Sequence, residues 1–227
     1  MVFCSDEFNM IFLVNPKCGS TAIRNFLINN VKDIQILQEI INDYDKYDKN
    51  HNNAKNAIEM CKSLGKNYNA YFSFTTIRNP WSKMISLYFF DRPDKNNNPW
   101  YYNDVYDESS AFANNFNKWL SEIDISRFVG ITAETFIVFN GKRFVTKIYP
   151  IETFTIKQLM KDLTSYNQKN GIHTPSIYFD TNQILPFINC TEHDHYSTYY
   201  SKESIEKIRN YFAGDIKIGG YCFEEMC

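Results

Sequence analysis

Apolar residues along this chain gather in short runs separated by polar turns, and the runs follow two different periods. Met10 to Val14 is five apolar residues in a row, too short for a core helix and followed by turn chemistry, which predicts a buried strand. The spacing then changes. Ile23, Phe26 and Leu27 stand at i, i+3 and i+4, a helix that Ser20 can cap and that Asn29-Asn30 ends. Residues 42 to 56 are rich in Asn, Asp, Lys and Tyr and read as a solvated loop, with a second helix following through Met60 and Leu64. Ala70 to Ile77, "AYFSFTTI", is β-branched and aromatic without a breaker, a second buried strand.

Asn79-Pro80 then opens a helix, with Asn as cap and Pro at the first helical position, carrying Met84, Ile85, Tyr88 and Phe89. A polar loop with Trp100, Tyr101 and Tyr102 leads to a helix from about Phe112 to Ile123. "TFIVFNGKRFVTKIYPIE" predicts a hairpin turning at Asn140-Gly141. Helices are expected at about Ile156 to Tyr166 and Lys202 to Phe212. This alternation predicts an α/β fold, one domain over residues 1–227, with a central, mainly parallel sheet flanked by helices.

Composition narrows the function classes. A formal charge of −2 over 227 residues gives no global electrostatic case for nucleic acid or an anionic membrane. No stretch approaches the ~20 apolar residues a membrane-spanning helix needs. The N-terminus carries Asp6 and Glu7 where a signal peptide would be basic, so the expected location is the cytoplasm, with the Golgi lumen as the alternative if an N-terminal anchor is missing from this sequence. Six cysteines lie without a metal or disulfide spacing and are expected to be free thiols, with a Cys190–Cys222 pair in an oxidising lumen as the second reading. The abundance of Asn, Lys, Ile, Tyr and Phe fits the coding bias of an AT-rich genome, which discounts much of the aromatic signal.

The candidate chemistry begins where the first strand meets the first helix, at "NPKCGST". A strand running through small residues into a helix binds phosphate, because the helix N-terminus offers unpaired N–H groups and a partial positive charge. The nucleoside-triphosphate form of this loop needs G-x-x-x-x-G-K-[ST]. Here no glycine lies five residues before Gly19, and Lys17 precedes the glycine. Gly65-Lys66 and Gly141-Lys142 are followed by Asn and Arg. An ordinary ATPase or GTPase is therefore disfavoured.

The second strand ends in "TIRNPWSKMISLYFF". Arg78 falls at the C-terminal edge of a strand, where open α/β sheets bind ligands, and Ser86 lies two helical turns past Asn79 on the same side as the helix start. An arginine, a hydroxyl and a helix N-terminus make a second anion site. Two such sites call for a ligand with phosphates at two places.

Pro16-Lys17-Cys18-Gly19-Ser20-Thr21, followed about 60 residues later by Arg78-Asn79-Pro80, Lys83, Ser86 and Tyr88, resembles the sulfotransferases that use 3′-phosphoadenosine-5′-phosphosulfate (PAPS), in particular their carbohydrate branch. The likeness continues through Ile148 to Phe154 and from Tyr200 to Tyr221, leaving about 30–70 and 92–130 uncovered. It implies a P-loop-nucleotide-kinase-like sulfotransferase fold and transfer of a sulfuryl group from PAPS to a hydroxyl or amine, with a small molecule or glycan as acceptor. It implies that Lys17 contacts the 5′-phosphate and the leaving-group oxygen, that Cys18, Gly19, Ser20, Thr21 and Ala22 form the 5′-phosphate loop, and that Arg78 and Ser86 take the 3′-phosphate.

The family needs no metal, so His193 and His195 in "EHDHY" are expected in a C-terminal lid or wall spanning Asn189 to Tyr200. Cys18 is expected to pack, Trp81 to sit in the core, and Lys83 either to face solvent or to touch phosphate. The acceptor hydroxyl also needs a base. Between the two motifs the candidates are His51, then Glu39, with Glu59 beside them. Glu152 is either an acceptor-site carboxylate or an anchor of the hairpin. The competing functions are a non-catalytic module that binds adenosine bisphosphate and a small-molecule or nucleotide kinase.

Overall fold

The computed structural model describes residues 1–37, 53–91, 109–127, 132–139, 141–185 and 193–223. They fall into two compact units, one of Met1–Ile77 with Val129–Ile188, the other of Arg78–Phe128 with Asn189–Cys227.

The first unit is an α/β sandwich. Its strands are β1 (Val2–Ser5), β2 (Met10–Leu13), β3 (Gln35–Leu37), β4 (Phe72–Ile77) and β7 (Lys147–Pro150), in the order β3-β1-β2-β4-β7. β2 pairs parallel with β4, and β4 parallel with β7. β1 pairs antiparallel with both β2 and β3. Four of the five strands thus point one way and only β1 is reversed, which is the mainly parallel sheet the sequence predicts.

Alternation along the strands distributes the core to two faces. Phe3, Met10, Phe12, Phe72 and Phe74 pack with α1 (Ser20–Asn30) and α6 (Ile156–Lys169) through Ile23, Phe26, Leu27, Leu159 and Leu163. Val2, Cys4, Ile11 and Leu13 face the other way, against α2 (Ala54–Ser63) and α5 (Ala133–Ile137) through Ala57, Met60, Phe136 and Ile137. Asn53 and Thr155 cap α2 and α6, each accepting from the N–H three residues on (3.0 and 3.1 Å).

The second unit is helical: α3 (Pro80–Asp91), α4 (Ser109–Glu122), α7 (Lys202–Tyr211) and α8 (Ala213–Gly219). Its core is aromatic, with Phe116 against Tyr88 (5.5 Å) and Tyr200 (4.8 Å). Lys207 reaches across from α7 to the carbonyls of Leu120 (2.5 Å) and Ile123 (3.3 Å) at the end of α4, where a cation suits the helix dipole.

The N-terminal residues form β1, a strand the sequence reading did not assign, with Val2, Phe3 and Cys4 buried beside the polar turn that carries Asp6 and Glu7. Other expectations need correction. The predicted hairpin shrinks to β5 (Val138–Phe139) and β6 (Lys142–Arg143), paired at Phe139↔Lys142; residue 140 of its turn lies outside the described residues. Its first run is mostly α5, and its last four strand residues leave to become β7, since pairing with β4 buries Tyr149. Cysteine spacing also misleads. Cys4, Cys18 and Cys61 are buried free thiols, whereas Cys222 is disulfide-bonded, to a partner outside the described residues. Distance along the chain does not report distance in space. Burial pushes the Cys4 thiol up to about 12 and Cys61 to about 11, which keeps both protonated and unreactive.

Candidate functional site

In the first unit the parallel strands β2, β4 and β7 end on one edge of the sheet, and the turn Asn15–Gly19 closes the gap from β2 to α1 there. Two buried threonines of β4 fasten it. The Thr75 hydroxyl donates to the carbonyl of Leu13 (2.8 Å), and the Thr76 hydroxyl to that of Cys18 (2.7 Å). Asn15 returns the tie, its Nδ2 donating to the Thr76 carbonyl (2.8 Å), while its Oδ1 meets no donor among the described residues. Sequence reasoning passed over these three. The signal was two hydroxyl residues in the interior of a fully buried strand, where each needs a partner.

Held this way, the turn takes an unusual backbone path. Lys17 has φ 57° and Gly19 φ 70°, both in the left-handed region. For a lysine this costs roughly 1–2 kcal/mol, and such strain concentrates at functional positions. Gly19 has a second constraint: a Cβ there would stand 2.6 Å from Cδ1 of Ile151, the residue following β7. Gly19, with Ser20 as the first helical residue, replaces Ser20 as the cap of α1, and no side-chain cap is made. The N–H groups of Ala22 (3.1 Å) and Ile23 (3.4 Å) both donate to the Gly19 carbonyl, so the Ala22 N–H is already taken and those of Ser20 and Thr21 precede the helical ladder. Gly19 is exposed, and Lys17, Thr21 and Ala22 are half-buried; Cys18 is fully buried and offers the site only backbone. The donors suit an anion, and the absence of a side chain on Gly19 lets the turn pass against Ile151.

Gly19→Ala should therefore destabilise the fold by about 1–3 kcal/mol, from the left-handed φ and the overlap with Ile151. Chemical denaturation measures it. Adding Ile151→Ala should restore the overlap part and leave the backbone part; an unchanged midpoint in Gly19→Ala would contradict this account.

In the second unit α3 begins as predicted. Asn79 accepts from the N–H groups of Trp81 (3.0 Å) and Ser82 (3.3 Å). Arg78, half-buried, donates from Nε to the Ser82 hydroxyl (3.0 Å). Ser82, unforeseen from sequence, stands one turn before the predicted Ser86, and i, i+4 spacing puts both hydroxyls on one face. Trp81 is core, with its Nε1 donating to the Ile205 carbonyl (3.3 Å). Lys83 is 1% exposed, so a solvated role is ruled out for it.

The other candidates separate. Glu39 and His51 lie outside the described residues, as does the whole acceptor loop at 92–108. Glu59 is exposed on α2, 3.9 Å from Lys55. Glu152 stands exposed in the turn after β7, one residue past Ile151, and β7 belongs to the main sheet. His193 packs against Phe89 (5.4 Å), while His195 Nδ1 meets the Ser197 hydroxyl (2.8 Å), so the two rings have different neighbours. Lys66, of the Gly65-Lys66 pair, binds Asp6 together with Tyr71, and these hydrogen bonds hold the Asp6 carboxyl below its ordinary range.

The model of the sulfotransferase family matches residues 1–221. The chain belongs to the sulfotransferase family. The match covers both units and therefore both candidate anion sites. Among curated relatives the chain is similar to carbohydrate sulfotransferase 10 of Danio rerio, 26% identical over 148 residues, which are 63% of the chain and 38% of the relative. It thus spans well under half the length of that protein. No solved structure matches it. No helix among its described residues is long and apolar enough to cross a membrane.

Proposed function

We propose that this member of the sulfotransferase family moves the sulfuryl group of PAPS to a hydroxyl, or an amine, of a carbohydrate acceptor. The observation that carries the reading is the left-handed turn at Lys17 and Gly19, which leads with an ammonium into an open helix N-terminus. Gly19, Ser20 and Thr21 would hold the 5′-phosphate through N–H groups and hydroxyls, and Arg78 with the hydroxyls of α3 would hold the 3′-phosphate. PAPS supplies an already activated sulfuryl group. What remains for the protein is alignment and stabilisation of charge, as in phosphoryl transfer. Lys17 would do the second, its ammonium offsetting the negative charge that grows on the leaving group. The carbohydrate acceptor is supported by the name of the zebrafish relative and by the motifs shared with that branch. The disulfide of Cys222 supports an oxidising compartment over the cytoplasm.

Adenosine 3′,5′-bisphosphate, the product end of PAPS, is the direct probe. At a hundredfold excess over its dissociation constant it should stabilise the fold by about 2.7 kcal/mol. Differential scanning fluorimetry reads this as a rise in Tm, and no rise at millimolar ligand would end the proposal. Transfer of radiolabelled sulfate from PAPS to a glycan panel tests the activity; tight bisphosphate binding with no transfer to any acceptor would make the protein a binding module instead.

A further inference from the structure

We infer that Tyr221–Phe223 forms a clasp that positions Arg78 and the start of α3, making the C-terminal stretch part of the 3′-phosphate site. This rests on the PAPS reading above. The link is Asn79, a buried residue next to Arg78 in the chain. While its Oδ1 caps α3, its Nδ2 donates to the carbonyl of Cys222 (3.2 Å) and to the hydroxyl oxygen of Tyr196 (3.2 Å). The Tyr196 hydroxyl in turn donates to the carbonyl of Phe223. One amide therefore ties the first turn of α3 to the C-terminal stretch.

The side chains repeat that tie. The ring of Phe223 meets Trp81 (5.6 Å), Tyr196 (5.9 Å) and Tyr200 (5.5 Å) edge-on. Tyr200 also donates its hydroxyl to the Trp81 carbonyl (2.8 Å). Phe223 thus fills a cage whose walls are α3 and the turn Tyr196–Tyr199 with its neighbour Tyr200.

Two glycines aim the stretch. Gly220 ends α8 in the left-handed region (φ 64°), and the Tyr221 N–H donates to the Ile216 carbonyl (3.0 Å), the bond that closes such a helix end. A Cβ on Gly219 would overlap the Tyr221 ring, so this position requires glycine for space. Beyond them Cys222 is disulfide-bonded, so a covalent anchor reinforces the hydrogen bonds.

Arg78 gains its orientation from this. Its Nε is held by Ser82, whose N–H is held by Asn79, whose amide is held by the clasp. A guanidinium that grips phosphate depends on a fixed fork, and a small misplacement is costly. The turn at Lys17 takes its described supports from β4 and Ile151 in the other unit, so releasing the clasp should spare the 5′-phosphate.

Calorimetry with two probes tests this: adenosine 3′,5′-bisphosphate, and adenosine 5′-phosphosulfate, which lacks the 3′-phosphate. The proteins are the full chain, Cys222→Ser, Phe223→Ala, Phe223→Leu, and the full chain treated with dithiothreitol. That dithiol gives two electrons and two protons to the disulfide, leaving Cys222 and its partner as thiols and itself as a cyclic disulfide. Bisphosphate affinity should fall about tenfold in Cys222→Ser, in Phe223→Ala and after reduction, the scale of one lost positioning contact, with affinity for the 5′-phosphosulfate within about twofold. Phe223→Leu, which still fills the cage, should recover most of the loss. Unchanged bisphosphate affinity in all three, or equal losses for both probes, overturns the clasp while leaving the PAPS reading intact. An untreated protein that binds neither probe overturns both.

Discussion

Lys17→Ala is expected to lower turnover by roughly 10²–10³, the scale seen when one preorganised transition-state donor is deleted, while cofactor affinity changes far less. The argument follows where charge develops. On the PAPS reading the N–H groups at the start of α1 would already meet the 5′-phosphate in the ground state, so one ammonium more or less would matter little. As the S–O bond breaks, charge grows on the bridging oxygen, and Lys17 is the cation at the head of the turn. Its backbone is left-handed, φ 57°, strain of the kind that concentrates at functional positions. Lys17→Arg should rescue poorly, because a planar guanidinium does not stand in for a compact point charge. Radiolabelled sulfate transfer at saturating PAPS, beside calorimetric binding of adenosine 3′,5′-bisphosphate, separates the two effects. A variant that lost binding but kept its rate would make Lys17 a ground-state anchor and this mechanism wrong.

Arg78→Ala is the second large effect. Losing a charged hydrogen-bonding partner costs about 1.5–3 kcal/mol, so affinity for PAPS and for adenosine 3′,5′-bisphosphate should fall roughly 10- to 150-fold. Adenosine 5′-phosphosulfate should bind almost as before. Arg78 also bonds Ser82, so a purely structural role is the rival account, and it predicts equal losses for all three ligands. Ser82→Ala adds resolution: it removes the hydroxyl partner and keeps the charge, so its loss should be smaller than that of Arg78→Ala and fall on the same 3′-phosphate ligands.

The local features of this chain were legible in its sequence because short-range physics sets them. The apolar run Met10–Val14 became β2, Phe72–Ile77 was buried from end to end, and Asn79-Pro80 opened α3, since burial and capping act within a few residues. The same holds for the two anion-binding segments, whose residue order carries the family resemblance. The tertiary structure decided what depends on partners distant in the chain. Ser20 lost the cap position because Thr76, 58 residues from Cys18, pulls the turn into a left-handed path that only Gly19 fits under Ile151. "KIYP" read as part of a hairpin strand, but it pairs in parallel with β4 over four residues, while β5 pairs only with β6, over two. Aromatic residues that composition assigned to coding bias became the core of the helical unit, and Cys222, one of six unremarkable cysteines, was bonded and set against Asn79. A sequence states which groups are available; packing and hydrogen bonding between remote segments decide which of them meet.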